Sequence, residues 1–188
     1  MNVFDTIYKG NGWGGTETRS GPGAGSVERR YLAPDVAALV EGMGFESVLD
    51  VGCGEGFWTP DLPGYIGIDV SEVALETARK WHPDRDLRLD DGSPYPTCDL
   101  VLVRCVIQHL SFEDGLFLLE RVFDSGATWL LCTSYKAGHN VDIKTGAGYW
   151  PDMTKPPFSL GDPVGYLLDG RTDNDQSRFP ALGLWWIG

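Results

Sequence analysis

Residues 48–58 read VLDVGCGEGFW, and the fold turns on them. The apolar run Val48–Val51 carries one acid, Asp50, and then breaks into glycine at alternate positions, Gly52, Gly54 and Gly56. A short apolar run ending in turn residues reads as a buried strand. Glycine lets the chain turn sharply behind that strand and lets a ligand come close to the backbone. A second run, 64–70 (GYIGIDV), brings Asp69 to its tip, nineteen residues after Asp50. An acid at the end of the strand that follows a glycine loop can accept hydrogen bonds from both hydroxyls of a ribose. The two motifs together describe a nucleoside site at the carboxyl ends of neighbouring strands.

Outward from this stretch, strands and helices alternate. Pro34 opens a helix in which Val36, Leu39, Val40 and Met43 form one apolar stripe, and Gly44 ends it. Ser71 caps a second helix with Ala74, Ala78 and Trp81 on one face and Glu76 paired with Lys80; Pro83 stops it. Strands are expected at 86–90, 99–103 and 128–134. Ser111 and Asp114 form a capping box ahead of Phe112, Leu116, Leu119 and Phe123 at helical spacing. Strands separated by helices imply βαβ units, hence a parallel, doubly wound α/β sheet. The last fifty residues are mostly loop, with Pro151, Pro156, Pro157, Pro163 and Pro180. Two strand-like runs remain there, 164–168 and 182–187, placed to form an antiparallel hairpin on one sheet edge. Trp185 and Trp186 are expected in its core.

A chain of 188 residues is the length of one domain. Fifteen Lys and Arg against 27 Asp and Glu leave a net charge of −12. That sign opposes both nucleic acid and an anionic membrane surface as partners. No apolar run approaches a membrane span, and MNVFDTIYKG lacks the charged lead and apolar core of a signal peptide. A soluble, cytoplasmic protein is expected. Cys53, Cys98, Cys105 and Cys132 contain no C-x₂-C pair, so they read as reduced, mostly buried thiols rather than a zinc site. Residues 10–25 hold seven glycines with Trp13, Arg19 and Ser20 interleaved. Such a chain is flexible, but a large aromatic within it usually packs on something.

The dinucleotide fingerprint is G-x-G-x-x-G ahead of a helix. Here Phe57 stands where the third glycine belongs, and Pro60 and Pro63 leave no room for a long helix before residue 64. In combination, VLDVGCGEG, YIGIDVS, LRLDDGSPYP and CDLVLVRCVIQHL resemble the successive motifs of class I S-adenosylmethionine-dependent methyltransferases over about residues 34–134. YKGNGWGGTETRSGPGAGS, TSYKAGHNVDIKTGAGYW, PPFSLGDPV and LGLWWIG further resemble a small subgroup with a WGG/SGPG N-terminal arm, which includes O-methyltransferases of glycan sugars. The resemblance implies a Rossmann-like sheet of about seven strands, five parallel plus the C-terminal hairpin. It implies one domain, 1–188: an arm or lid at 1–33, a cofactor core at 34–134, and acceptor loops with the hairpin at 135–188.

The same resemblance implies S-adenosylmethionine as cofactor. Asp50, Gly52, Cys53, Gly54 and Gly56 would surround its methionine part. Asp69 would hold the ribose and Val70 touch the adenine. Asp91 would bond the adenine amino group, with Asp90, Gly92 and Ser93 beside it; a solvated turn is the alternative for both acids. Trp13, Ser20 and Gly21 would close over the cofactor as a lid. Cys53, inside the loop, is too engaged to attack a substrate. Arg104, counted with the cofactor set, cannot deprotonate and serves as a charge that orients a carboxylate.

The acceptor side follows the fourth strand. His109 takes a proton near neutral pH and is the natural base for a hydroxyl; capping a turn is the alternative. Gln108 lies beside it. Tyr135, Lys136, His139, Asn140, Asp142 and Trp150 form a polar set after the fifth strand and are expected to contact the acceptor, a small molecule or glycan; a surface loop with ordinary turn polarity is the alternative. His139 and Asp142 could instead share a divalent metal, but no ligand spacing points to one, and none is expected. Absence of [DNS]-P-P-[YFW] and of a Pro-Cys nucleophile argues against methylation of a DNA base. Methyl transfer to a hydroxyl is the leading reading. Transfer to nitrogen or carboxylate of a peptide or metabolite, and a cofactor-binding module without catalysis, are the alternatives.

Overall fold

The structure, a computed structural model, describes residues 2–169 and 181–188. Seven strands form one mixed sheet in the order β3-β2-β1-β4-β5-β7-β6. They are β1 (Val48–Val51), β2 (Ile66–Asp69), β3 (Asp86–Leu89), β4 (Leu100–Val103), β5 (Trp129–Ser134), β6 (Gly165–Leu168) and β7 (Ala181–Trp186). Parallel pairing joins β1 to β2, β2 to β3 and β4 to β5; β7 runs antiparallel to both β5 and β6. This is the Rossmann-like sheet with a C-terminal antiparallel hairpin that the alternating runs predict. Pro180 lies outside the described residues. The chain divides into two compact units, 1–93 and 94–188.

The first unit departs from expectation at its start. Residues 3–10, expected as part of an irregular arm, form helix α1 (Val3–Gly10). The Asn2 side chain caps it by accepting the Asp5 amide at 2.7 Å. Arg19 Nη1 donates to the Tyr8 carbonyl in the last turn at 3.2 Å. Helix α2 runs Ser26–Met43, so Pro34 lies inside it instead of opening it. The true start is set by Glu28, whose carboxylate accepts the Gly25 amide at 3.0 Å. Burial of Leu32, Ala33, Val36 and Val40 carries the helix across Pro34 despite the missing N–H. Met43, placed on the sequence stripe, is exposed, and Leu39 is only half-buried. Gly44 ends the helix in the left-handed region, as expected. Helix α3 (Glu72–Trp81) is capped by Ser71 and buries Ala74, Leu75 and Ala78; Trp81 is exposed, its ring edge against Phe57. The ion pair along α3 is Arg79–Glu72 rather than the expected Glu76–Lys80.

In the second unit, β4 is wholly buried. Helix α4 (Phe112–Asp124) buries Gly115, Leu118, Leu119 and Val122. The sequence stripe was out of phase: Leu116 and Phe123 face outward, because the buried side follows Leu118 and Val122. The Ser111 hydroxyl caps the Asp114 amide, but the Ser111 amide donates to Thr145 Oγ1, so the reciprocal half of the capping box is missing. In the hairpin, Trp185 is buried with its indole N–H on the Gly161 carbonyl, whereas Trp186 points outward and is no part of the core. Cys98 and Cys132 are buried free thiols; Cys105 is half-buried. Among the described residues, no helix is long and apolar enough to cross a membrane.

Candidate functional site

The glycine loop leaves β1 with left-handed φ angles of 73°, 59° and 66° at Gly52, Gly54 and Gly56. Every amide of 52–56 already has an acceptor inside the chain. Gly52 and Cys53 donate to the Ile68 carbonyl, and Gly56 donates to that of Cys53. Gly54 donates to Asp69 Oδ2 at 2.8 Å, and Glu55 donates to the Ser20 hydroxyl at 3.1 Å. A loop that cradles pyrophosphate must point free N–H groups at the ligand. This loop has none to offer, and residues 57–65 hold no helix. Any ligand at this loop would have to be held by side chains.

Asp69 is the group that ties loop to strand. Its Oδ1 accepts the Ser71 amide at 2.8 Å while Oδ2 takes Gly54. Each oxygen keeps a further lone pair, so the carboxylate has acceptor capacity beyond these two amides. Burial, first, and the nearby Asp50 and Asp90 charges raise its pKa to about 6; the two amide bonds act the other way. Asp50 is buried in β1 and accepts the Tyr65 hydroxyl at 2.9 Å and the Thr59 hydroxyl at 3.3 Å. Burial and the Asp69 and Asp50 charges push the Cys53 thiol well above its ordinary range, so it is no nucleophile.

The arm is docked on this loop. Glu55 Oε2 accepts the Arg19 amide at 2.7 Å and the Thr18 hydroxyl. Gly54 has no room for a side chain, since a Cβ there would lie 2.6 Å from Ser20 Oγ and 2.8 Å from the Tyr8 hydroxyl. Trp13 packs its ring edge-on to Tyr8, 5.2 Å between centroids, and its Cβ lies close over buried Gly21. Trp13, Ser20 and Gly21 thus join the loop as one body. Val70 is exposed, and its carbonyl receives the Asn2 side chain. Asp90 and Asp91 accept the amides two residues on, Gly92 and Ser93, at 3.1 and 3.0 Å, which makes this segment a pair of side-chain-stabilised turns.

In the second unit, His109 ends the short 3₁₀ turn Ile107–His109 after β4. Its Nδ1 lies 2.8 Å from the Ala147 carbonyl and its Nε2 lies 3.2 Å from Gln108 Nε2. Gln108 Oε1 in turn accepts the Tyr135 hydroxyl at 3.1 Å. Burial lowers the His109 pKa, and the Ala147 bond partly offsets this. The structure thus brings Gln108, His109 and Tyr135 together.

Other expected residues are committed elsewhere. Arg104, placed in the cofactor set by the sequence, is buried and bidentate to Asp169, with contacts of 2.8 and 3.1 Å. Its charge is balanced within the chain by Asp169. The Asn140 carboxamide accepts the Asp152 amide and donates to the carbonyls of Asp152, Lys155 and Pro156. Asp142 Oδ1 accepts the amides of Phe112 and Ile143 and so caps α4. Asn140 and Asp142 shape the loop after β5 from within. His139 is exposed on that loop. No group of three or more His, Cys, Asp or Glu among the described residues is placed to hold a metal. Tyr8, Thr18, Glu55, Ala147 and Asp169 were not foreseen. Glu55 had one signal, a lone charge between two glycines; Asp169 had none.

Residues 49–129 match the methyltransferase domain family. No curated protein sequence matches the chain. Magnesium protoporphyrin IX methyltransferase (ChlM) from Synechocystis PCC 6803 with bound SAH is a structural neighbour, with TM-score 0.68 and 14% identity over 96% of this chain and 98% of that one. The methyltransferase domain of bacterial CtHen1-C gives 0.60 and 18% over 87% and 100%. The N-terminal domain of EvdMO1, in the presence of SAH and D-fucose, gives 0.58 and 14% over 85% and 84%. The matched segment is less than half of the chain, and at these identities the structural neighbours show the fold.

Proposed function

We propose that this protein is a small S-adenosylmethionine-dependent methyltransferase that places a methyl group on a hydroxyl of a sugar or another small polar acceptor. The observation that carries the cofactor is the glycine loop whose five amides are all spent inside the chain while Asp69 keeps acceptor capacity at its edge. Neighbours of this fold with bound SAM or SAH are in accord. When bound, S-adenosylmethionine supplies an electrophilic methyl group on a positively charged sulfur. Asp69 would hold the ribose. Asp90, Asp91 and Gly92, with Val70, would border the adenine. Asp50, Gly52, Cys53, Gly54 and Gly56 would shape the methionine side, under Trp13, Ser20 and Gly21.

On the acceptor side, His109 Nε2 would take the proton of an acceptor hydroxyl as that oxygen accepts the methyl group. The chain's remaining contribution is to align donor and acceptor. D-fucose in the EvdMO1 structure is what favours a sugar hydroxyl among the candidate acceptors. Transfer to a nitrogen or carboxylate of a peptide or metabolite is the second reading, since such atoms need less help from a base. A cofactor-binding module without catalysis is the third.

Calorimetric titration with S-adenosylmethionine, S-adenosylhomocysteine and NAD in parallel tests the cofactor. Saturable binding of the first two and not of NAD is expected; no binding of either sulfur compound defeats the reading. A methyl-transfer screen over sugars, amines and carboxylic acids then finds the acceptor. His109→Ala should cost about 10²–10⁴ in rate on a hydroxyl acceptor, and a loss below roughly threefold counts against the base.

A further inference from the structure

We propose that Gln108 and Tyr135 are positioning residues that decide where His109 carries its proton: Tyr135 orients the Gln108 amide, and the amide holds the imidazole as the tautomer protonated at Nδ1. The inference rests on the reading of His109 as the base for an acceptor hydroxyl. The Ala147 carbonyl can only accept, so Nδ1, 2.8 Å away, carries the hydrogen. Nε2 of the neutral ring is then a lone pair. The group 3.2 Å from it belongs to Gln108, and only the nitrogen end of an amide donates to a lone pair. That orientation turns Oε1 toward Tyr135, whose hydroxyl donates to it at 3.1 Å. Starting from a carbonyl that cannot donate, the three contacts run in one direction only. Gln108 on its own turn and Ala147 and Gly148 of the following loop face the ring, with Tyr135 beyond Gln108. Asp142, on the same loop, is turned to the Phe112 amide instead.

A mechanism follows for the proton. In the acceptor-free protein the Gln108 N–H covers the Nε2 lone pair. An acceptor hydroxyl reaches Nε2 by exchanging with that N–H. Once Nε2 has taken the proton it becomes a donor, and the same amide, turned over, meets it with Oε1. Tyr135 opposes this turned state by donating to Oε1. Its removal therefore favours the protonated ring.

Long-range ¹H–¹⁵N correlation spectra of the full, ligand-free chain test this without any acceptor. There are three histidines, so substitution of each assigns its ring. Wild-type protein should show His109 protonated at Nδ1 above its titration midpoint. Tyr135→Phe should raise that midpoint by about half a pH unit, and Gln108→Glu by about one or more. Tyr135→Phe should have no effect in the Gln108→Leu background, because its influence passes through the amide. A ring protonated at Nε2 in wild type overturns the proposal. So does a Tyr135→Phe effect that survives loss of Gln108. If instead the spectra are as described but His109→Ala leaves methyl transfer intact, the base reading fails and the positioning stands.

Discussion

Glu55 and Ser20 clasp the glycine loop to the N-terminal arm: the Glu55 amide donates to the Ser20 hydroxyl at 3.1 Å, and the Glu55 carboxylate accepts the amide of the neighbouring Arg19 at 2.7 Å. The loop therefore serves as the arm's anchorage as well as a candidate cofactor edge, and order in one is order in the other. Glu55→Ala removes a buried acceptor and leaves the Arg19 amide and Thr18 hydroxyl to find others. Each hydrogen bond to a charged group is worth about 1.5–3 kcal/mol. The expected result is a melting temperature lower by about 5–10 °C and faster tryptic cleavage after Arg19. Unchanged cleavage at Arg19 would mean that the arm is held by something other than Glu55.

Asp69 gives the fold a pH signature. Its pKa is raised from 3.8 to about 6, with burial the largest cause. The folded chain thus binds this proton more tightly than the unfolded chain. Above pH 6 the buried charge costs about 3 kcal/mol. That cost is relieved as pH falls through 6 and is gone below about 4. Other carboxylates titrate over the same range, so the difference between wild type and Asp69→Asn isolates the effect. Relative to Asp69→Asn, the wild-type melting temperature should rise as pH falls from 7 to 4, and a flat difference would show that Asp69 is not raised. If Asp69 holds the ribose as proposed, S-adenosylmethionine affinity should move oppositely, weakening below pH 6 as the carboxylate loses its charge and part of its acceptor capacity.

The Arg104–Asp169 pair separates a structural charge from a ligand-binding one. Both side chains are buried and bidentate. Removing one partner strands the other, at a cost of about 3–5 kcal/mol. Arg104→Met should lower the melting temperature by about 10 °C. The double variant Arg104→Met with Asp169→Leu should recover most of that, because no unpaired charge is left. Its S-adenosylmethionine affinity should stay within roughly threefold of wild type, a difference under about 1 kcal/mol. Loss of binding in a well-folded double variant would return Arg104 to the cofactor set.

What was legible in the sequence is what depends on local pattern. The strands follow apolar runs, and the glycine loop with Asp69 follows from spacing along the chain. Helix α1 escaped because it is eight residues long, although Phe4, Ile7 and Tyr8 carry helical spacing behind the Asn2 cap. Pro34 misled because its local preference for a helix start was outweighed by burial on both sides of it. The arm's attachment to Glu55 and the Arg104–Asp169 pair join residues 36 and 65 apart, and no local signal announces such partners. In the loop after β5 the polarity was legible but its use was not. Short polar side chains that hold backbone groups have the same composition as those that hold a ligand.

Asp142 tests that distinction directly. Its Oδ1 accepts the amides of Phe112 and Ile143, and Phe112 is the first residue of α4. An acid there also meets the positive end of the helix. Asp142→Ala leaves a first-turn amide unsatisfied and should cost about 0.5–2 kcal/mol of stability. Asp142→Asn keeps the acceptor oxygen and should recover most of it, losing only the charge. If Asp142 were instead a contact for the acceptor, the two variants would raise the acceptor KM with little change in melting temperature. The structure predicts the reverse: a lower melting temperature for the alanine variant, near-normal stability for the asparagine variant, and in the latter a KM close to that of wild type.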